Sequence, residues 1–183
     1  MISSGTYEVG PSQGTLQLHT GREGMAKKVG HDLVIEAKQW TAKVNVDADD
    51  LTKSTAQLTI QGASIDTRHE QRDGHLRSND FLALEEYPQI TFVSTGVRQT
   101  GETSLELTGD LTIKGVTNSI TVPFEFEGAA TDPYGNLRVG FEGSVVINRK
   151  DYGVSWNAAL ETGGVLVSEK ITLEFEVSAI KNA

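Results

Sequence analysis

The residues best suited to chemistry lie in one polar stretch, SIDTRHEQRDGHLRSND, which runs from Ser64 to Asp80. Its two histidines, His69 and His75, are six positions apart. In a helix, at about 100° per residue, that spacing sets them about 120° from each other. A zinc-protease helix needs two histidines four positions apart on one face. The spacing therefore does not predict a metal site on a helix here.

Two other roles stay open for the histidines. One is a metal site formed by His19, His31 and Asp32 with a histidine of the polar stretch, although no ligand spacing supports it. The other is an enzyme acting on a small lipid-like substrate, with His31 or His75 as the general base. No nucleophile, base and orienting residue form a recognisable set. We therefore expect no catalytic residues, no metal and no cofactor.

Helix signals place much of the polar stretch in a helical insert. Thr67 and Glu70 form a capping box, which predicts a helix over 68–77. Asp80 is suited to cap a second helical turn in FLALEEY, which Pro88 ends. Taken one by one, the charged residues of the stretch are typical of a solvated, ion-paired helix face.

The rest of the chain alternates apolar and polar residues with a period of two, which is the pattern of half-buried strands. In SLELTGDLTI, one parity is held by Leu105, Leu107, Leu111 and Ile113. The pattern predicts further strands in STAQLTIQ, SITVPFEFE, LRVGFEGSVVI and KITLEFEVSA, and more weakly in GTLQLHT, HDLVIEA, TAKVNV and PQITFVST. Short connections favour antiparallel pairing, and a tight hairpin turn is predicted around Lys114 and Gly115.

These eight or more strands predict an all-β fold. Strands that are apolar on one face, with little helix to cover them, pair into a sandwich or close into a barrel. A barrel of about eight strands has room inside for side chains or for one small ligand. No linker or repeat divides the chain, so we expect a single domain over 1–183. The helical insert would lie across one end of a barrel as a lid or plug.

Composition excludes several functions. The 183 residues include no cysteine, which rules out disulfides, thiolate metal sites and cysteine catalysis. The formal net charge of -9 argues against binding to nucleic acid or to anionic membrane surfaces. The start, MISSGTYEVG, has neither the basic nor the apolar region of a signal peptide. We expect a cytoplasmic protein, or a periplasmic or secreted one if the sequence is a trimmed form.

The polar stretch and the strands around it resemble the YceI-like family of polyisoprenoid-binding, lipocalin-like proteins. The resemblance covers the chain from about Gly5 to Lys181 and is carried by SIDTRHEQRDGHLRSNDFLALEEYPQITFVST, LTGDLTIKGVTNSITVPFEFEG, DPYGNLRVGFEGSVVINRKDYGVSWN and LETGGVLVSEKITLEFEVSAIK. Its most specific motifs are the residues Arg72, Asp73, His75, Leu76 and Arg77, the run from Asp110 to Gly115, and the run from Asn148 to Gly153.

This resemblance implies an antiparallel eight-stranded lipocalin-like barrel around a long apolar tunnel, with the helical insert near its mouth. It also implies a homodimer that binds a polyisoprenoid, an isoprenoid quinone, a fatty amide or another long-chain lipid for transport, storage or sequestration. The residues expected at the ligand are Arg72, His75, Phe81, Phe92, Phe124, Phe126, Phe141, Trp156 and Phe175. Ordinary core packing is the alternative for each phenylalanine. Tyr152 is expected beside Trp156 at the mouth, and Trp40 at the surface or in a dimer contact.

Within the insert, Arg72 and His75 are three positions apart and share a helix face, whereas Asp73 points about 100° away. We expect Asp73 to fasten the helix to the barrel wall through a charge-assisted bond. Arg72 and His75 would then face the mouth, where a diphosphate, quinone or amide head group would lie. The planar fork of Arg72 suits phosphate oxygens, and His75 would make binding pH-dependent.

Overall fold

The computed structural model describes residues 3–20, 33–156 and 168–182, and within them the chain is mostly strand. The strands are β1 Gly5–Val9, β2 Gly14–Thr20, β3 Leu33–Ala37, β4 Trp40–Val46, β5 Thr55–Gln61, β6 Ile65–Asp66, β7 Gln89–Gln99, β8 Ser104–Ile113, β9 Val116–Thr131, β10 Leu137–Asn148 and β11 Lys170–Lys181. A single described α-helix, α1 Glu70–Arg77, lies between β6 and β7.

In three places two consecutive strands continue in the same direction, separated by a short break, and act as one long strand. The eleven strands therefore form eight long ones. β1 and β2 both pair antiparallel with β11. Their partners on the other side, β4 and β3, likewise form one long strand, and β5 and β6 form the next. The breaks within these three long strands fall at residues 10–13, 38–39 and 62–64.

The eight long strands form a closed antiparallel barrel. Neighbours pair in the order β1-β4-β5-β7-β8-β9-β10-β11-β2-β3-β6, and the additional pairing of β1 with β11 completes the ring. Closure removes the exposed sheet edges that would otherwise pair with other chains. The prediction of an all-β, eight-stranded antiparallel barrel with a short helix is confirmed.

The alternating segments all became strands, from β2 to β5 and from β7 to β11. The hairpin between β8 and β9 turns at Lys114 and Gly115, whose φ angles of 51° and 74° are left-handed, as a two-residue hairpin turn requires. β1 and β6 were not predicted. β1 has only two inward apolar residues, Tyr7 and Val9, and β6 has only two residues in all. Strands this short carry too little alternation to be recognised.

The apolar parity of each strand faces the interior. Phe92 of β7 lies opposite Leu111 of β8, and Phe126 of β9 lies opposite Phe141 of β10. Residues directly opposite in a ladder point to the same face of the sheet. The other parity carries the polar side chains, which face outward. The alternation in the sequence therefore determines which side chains point into the barrel and which point to solvent.

The interior has three zones. Around the insert the inward side chains are buried, and this group includes Ile65, Phe81, Ile90, Phe92, Leu111, Ile147, Tyr152 and Ile171. Along the middle of the strands the inward side chains are only half-buried, and this group includes Leu16, Leu18, Val44, Leu58, Leu107, Ile120, Phe126, Phe141, Leu173 and Val177. At the opposite end Tyr7, Val139 and Ala179 are at most 1% exposed. The barrel is therefore more loosely filled between two closely packed ends.

The insert differs from its predicted form at both ends. The helix is capped by His69, whose Nδ1 accepts a hydrogen bond of 3.2 Å from the N–H of Arg72. The capping box with Thr67 is wrong, because the left-handed φ of 63° at Arg68 separates Thr67 from the helix. Residues 78–88 form turns. The short turn predicted in FLALEEY is present, closed by bonds from the N–H groups of Glu86 and Tyr87 to the carbonyl of Ala83, but Asp80 pairs with His75 and does not cap it. Among the described residues no helix has the length and apolar character needed to cross a membrane.

Candidate functional site

Thr67, the residue after β6, anchors the insert to the barrel. It is 3% exposed. Its backbone N–H and its hydroxyl both donate to Oδ1 of Asp73, at 2.9 and 2.5 Å. Its hydroxyl and carbonyl oxygens accept from Nε and Nη2 of Arg72, at 2.9 and 2.6 Å. We call these three residues the Thr67 clamp.

The clamp assigns a structural task to both charged residues. Asp73 makes the charge-assisted anchor that its position on the helix predicted. Arg72 makes a second anchor, because Nε and Nη2 of its guanidinium both donate to Thr67. These two nitrogens are therefore not free for a ligand at the barrel mouth. No residue of α1 is buried, so polar bonds of this kind hold the helix in place. A role for Arg72 in holding a head group stays a prediction.

His75 forms a cluster with two aromatic side chains. Its ring contacts Phe81 and Trp156 edge-on, with centroid distances of 5.0 and 4.6 Å, and the two aromatic rings lie 5.3 Å apart. Nε2 of His75 lies 2.8 Å from Oδ2 of Asp80. The side chain of His75 is 38% exposed. We call His75, Phe81 and Trp156 the insert cluster, which presents a polar ring nitrogen beside apolar edges at the surface.

A buried arginine places Trp156 in this cluster. Arg149 is 5% exposed, and its Nη1 donates to the carbonyl oxygens of Val154 and Trp156, at 2.7 and 2.9 Å. Its Nε donates to the carbonyl oxygen of Ser168, at 2.8 Å. Sequence reasoning missed Arg149, although it lies in the motif NRKDYG. The signal available was a charged residue directly after an alternating strand.

Three of the predicted phenylalanines meet inside the barrel. The rings of Phe124 and Phe141 are 5.8 Å apart, and those of Phe126 and Phe141 are 5.9 Å apart. All three are half-buried although they face inward. An inward apolar side chain keeps accessible surface only where its neighbours do not fill the space beside it. These rings therefore line an incompletely filled part of the interior.

The two remaining phenylalanines lie over glycines. The ring of Phe92 covers Gly109 of β8, and the ring of Phe175 covers Gly143 of β10. Phe92 is 8% exposed and belongs to the closely packed zone, whereas Phe175 is half-buried. Ring-over-glycine packing holds both aromatic groups against the neighbouring strand.

The structure gathers the predicted ligand-binding residues into separate groups. The insert cluster and Arg72 lie at one end, the Phe124, Phe126 and Phe141 group lies in the interior, and Phe92 and Phe175 lie along the wall. Two accompanying expectations were wrong. Trp40 is 4% exposed and Tyr152 is 2% exposed, so neither is a surface or rim residue. Trp40 faces inward because it has the parity of the apolar side of β4.

The histidine metal site gains no support from the described part of the chain. His19 makes an ion pair with Glu174, with a distance of 3.0 Å from Nε2 to Oε2. No group of three or more metal-binding side chains comes together in residues 3–20, 33–156 and 168–182. His31 and Asp32, the other two residues of that hypothesis, lie outside the described residues.

The outer wall carries a concavity of about 470 Å³ that does not suit an apolar ligand. Its lining is mostly outward-facing and includes Glu125, Glu142 and Glu176, which are direct neighbours across β9, β10 and β11. The pKa of the nearby Glu127 is raised, first by a hydrogen bond with Glu142, and then by burial and by the negative charges of Glu142 and Glu176. This surface repels anions and attracts no hydrocarbon.

Comparison with known proteins gives related sequences and the same fold. The sequence profile of the YceI-like domain matches residues 7–179. A UPF0312 protein of Staphylococcus epidermidis is 41% identical over 157 residues, which cover 83% of this chain and 88% of that protein. A UPF0312 protein of Staphylococcus aureus is 38% identical over the same shares of the two chains.

Solved structures share the barrel. The Campylobacter jejuni YCEI protein matches with a TM-score of 0.73 and 26% identity, over 88% of this chain and 94% of that one. BcnA of Burkholderia cenocepacia matches with a TM-score of 0.76 and 23% identity, over 92% and 96%. A domain of Saccharophagus degradans described as polyisoprenoid-binding matches with a TM-score of 0.69 and 12% identity, over 98% and 100%. With the profile match over nearly the whole chain, these likenesses show that the protein belongs to the YceI-like family.

Proposed function

We propose that this protein binds a long apolar lipid inside its barrel, for carriage, storage or sequestration. The observation that carries the proposal is the half-buried state of inward apolar side chains, including Leu107, Phe126, Phe141 and Leu173. A barrel whose interior were filled by its own side chains would bury them fully. The accessible surface that these inward apolar side chains keep supports an interior that an extended apolar chain could fill.

Binding of such a chain needs little polar chemistry. Each 100 Å² of apolar surface removed from water contributes roughly 2.5 kcal/mol. Ordering of the tail on binding offsets part of that gain. Family membership also supports the proposal, as does the description of the Saccharophagus degradans domain as polyisoprenoid-binding. We infer that a polyisoprenoid, an isoprenoid quinone or a fatty amide is the class of ligand.

The head group of the lipid would lie at the insert. His75 is the better placed of the two predicted head-group residues, since its ring is part of the insert cluster and is partly exposed. Arg72 is engaged by Thr67 through two of its nitrogens. Because Arg72 is cationic, we expect Arg72→Ala to lower the affinity for a diphosphate-bearing lipid more than that for a neutral quinone. Because Arg72 also holds Thr67, the same change should lower the stability of the protein.

Binding is favoured over catalysis. An enzyme with His75 as base would need a nucleophile or a substrate-activating group beside the ring. In the described part of the chain the ring contacts Asp80, Phe81 and Trp156, and no hydroxyl group bonds to it. A pair of His75 and Asp80 alone assembles no recognisable catalytic set.

Displacement of a fluorescent long-chain fatty probe tests the proposal. Polyprenyl lipids and isoprenoid quinones should displace the probe with one lipid per chain, whereas a short prenyl alcohol should displace it at least tenfold less well, because less apolar area is buried. Failure of the probe and of every long lipid to bind would contradict the proposal. Chemical conversion of a lipid during the titration would favour the enzyme.

We also propose that the protein forms a homodimer. The acidic outer wall argues that any association is sensitive to salt, since like charges on the two copies repel each other less when they are screened. Sedimentation at micromolar concentration should give a dimer at moderate salt. A monomer at every salt concentration would contradict this.

A further inference from the structure

Trp40 brings an unpaired polar group into the apolar interior. Its side chain is 4% exposed, and its indole Nε1 has no hydrogen-bond partner among the described residues. A buried donor without a partner costs free energy, because the bond it made to water is lost and not replaced. A phenylalanine in this position would avoid that cost, so the indole N–H is a polar group whose partner is not among the described residues.

The described cross-strand neighbours of Trp40 are apolar, and no described side chain bonds to its indole N–H. Trp40 lies opposite Ile60 on β5, and Ile60 lies opposite Ile90 on β7. On its own long strand the nearest inward residues are Ala37 and Ala42. Backbone carbonyl groups in this part of the sheet are engaged in the strand ladders. Within the described part of the chain the indole has no acceptor, which leaves a ligand as the candidate source of one.

We propose that the indole N–H of Trp40 donates a hydrogen bond to an uncharged oxygen atom of the bound lipid. This inference rests on the proposed function and narrows the ligand class. Indole is a donor only, so its partner must be an acceptor. The acceptor must be neutral, because an ionised group costs far more than a neutral one in so apolar a place without a counter-charge. A carbonyl, ether or hydroxyl oxygen fits beside Trp40, whereas a hydrocarbon offers this N–H no acceptor and a charged diphosphate oxygen would be destabilised at this buried position.

The position of Trp40 also says where that oxygen lies. Trp40, Ile60 and Ile90 form one row across β4, β5 and β7. Ile90 lies at the start of β7, directly after the insert. Beside this row the N–H of Gly62 donates to the carbonyl of Pro88, the last residue before β7, at 2.9 Å. Trp40 is thus at the insert side of the barrel, in the closely packed zone. The oxygen would lie at the head-group end of the lipid, with the tail running on into the loosely filled zone.

Nuclear magnetic resonance tests the inference on the unmodified protein. The chain has two tryptophans, so its nitrogen-15 spectrum has two indole signals, which a Trp156→Phe variant assigns. Two probes of matched tail length are added: an isoprenoid quinone, and squalene, an isoprenoid hydrocarbon. The quinone should move the indole proton signal of Trp40 downfield, as a new hydrogen bond does, while squalene should leave it near its original place. Equal shifts with both probes, or none with the quinone, would overturn the inference.

Measured affinities of variants test the same hydrogen bond independently. Trp40→Phe should weaken the quinone about tenfold, the effect of losing one hydrogen bond, and should leave squalene within about twofold. Phe92→Leu, a change in a nearby inward ring that carries no donor, should weaken both probes alike. If Trp40→Phe lowers the affinity for both probes equally, Trp40 contributes packing and no hydrogen bond. That outcome would contradict the inference but not the proposed function. Failure of both probes to bind the native protein would remove the proposed function and this inference together.

Discussion

Phe175 lies directly across from Gly143 in the neighbouring strand, and its ring occupies the space that a side chain at position 143 would need. A Cβ atom at 143 would lie 2.6 Å from Cζ of Phe175 and 2.8 Å from the carbonyl oxygen of Pro123. The ring and the glycine therefore form one packing unit on the barrel wall, and a side chain at position 143 would displace the ring.

That unit predicts the effect of a single methyl group. Gly143→Ala should lower the free energy of unfolding by about 1–3 kcal/mol, because the backbone carbonyl of Pro123 cannot give way as a flexible side chain does. Gly96→Ala is the matched control, since a Cβ there meets nothing within 4 Å. Denaturant unfolding of the two variants checks this. Equal stability of both would mean that the ring moves aside freely.

Enlarging the rings that line the interior should reduce binding. Phe141→Trp and Phe175→Trp each add volume beside the loosely filled zone, so the affinity for a long-chain fluorescent probe should fall at least fivefold while the fold is kept. Phe92→Trp is the contrasting variant, because Phe92 is packed at 8% exposure and has no room to grow. It should unfold more easily. If all three variants behave like Phe92→Trp, the interior is a solid core.

The Thr67 clamp should govern the stability of the insert. Thr67→Val keeps the shape but removes the hydroxyl group shared by Asp73 and Arg72, and we expect a loss of about 1–3 kcal/mol. Thr67→Ser keeps the hydroxyl group and should lose far less. Hydrogen exchange of the α1 amides, measured with thermal unfolding, tells whether the loss is confined to the insert. Similar results for valine and serine would mean that the hydroxyl bonds contribute nothing.

The glutamates of the outer wall predict a pH dependence. The raised pKa of Glu127, caused first by its hydrogen bond with Glu142, means that folding favours its protonated form. The resulting stabilisation is complete at low pH and is lost as the pH rises through the folded-state pKa, because the charged carboxylates then repel each other. Glu142→Gln should therefore raise the Tm at pH 7, and the gain should shrink towards pH 4.

A control separates this effect from a general change in net charge. Glu102→Gln removes the same charge from an exposed hairpin turn. It should leave the Tm nearly unchanged at both pH values. A gain for Glu142→Gln that is the same at pH 4 and pH 7 would contradict repulsion as the cause.

Alternation was enough to predict the strands and their inner face, because a period of two fixes which side of each strand is buried. It left a sandwich and a barrel open, and the eight-stranded barrel followed from the resemblance to the YceI-like family. Ile171, Leu173 and Phe175 faced inward as expected, and the hairpin at Lys114 and Gly115 followed from local turn chemistry. The insert was harder to predict. His69 replaced Thr67 as the cap because a single left-handed residue, Arg68, redirects the backbone, and sequence alone does not report that angle.

The site was predicted less completely than the fold. His75, Phe81 and Trp156 were named separately, but their contact depends on the backbone held by Arg149, which is distant from the insert in sequence. Long-range packing decides that contact, and a single sequence contains no measure of it. Trp40 was expected at the surface or in a dimer contact because the predicted strand TAKVNV stopped short of it, although its parity with Ala42, Val44 and Val46 indicates an inward side chain.

Identification of the lipid carried by the purified protein shows whether the barrel holds a ligand. The protein is to be isolated in mild detergent-free buffer and denatured in organic solvent, and the extract analysed by mass spectrometry against extracts of Phe141→Trp and of an unrelated barrel purified in the same way. We expect a long isoprenoid or acyl lipid that carries a neutral oxygen, near one per chain, and markedly less of it in Phe141→Trp. An extract with no lipid above the unrelated barrel, from a protein that also takes up none when long-chain lipids are added, would contradict the proposed lipid binding.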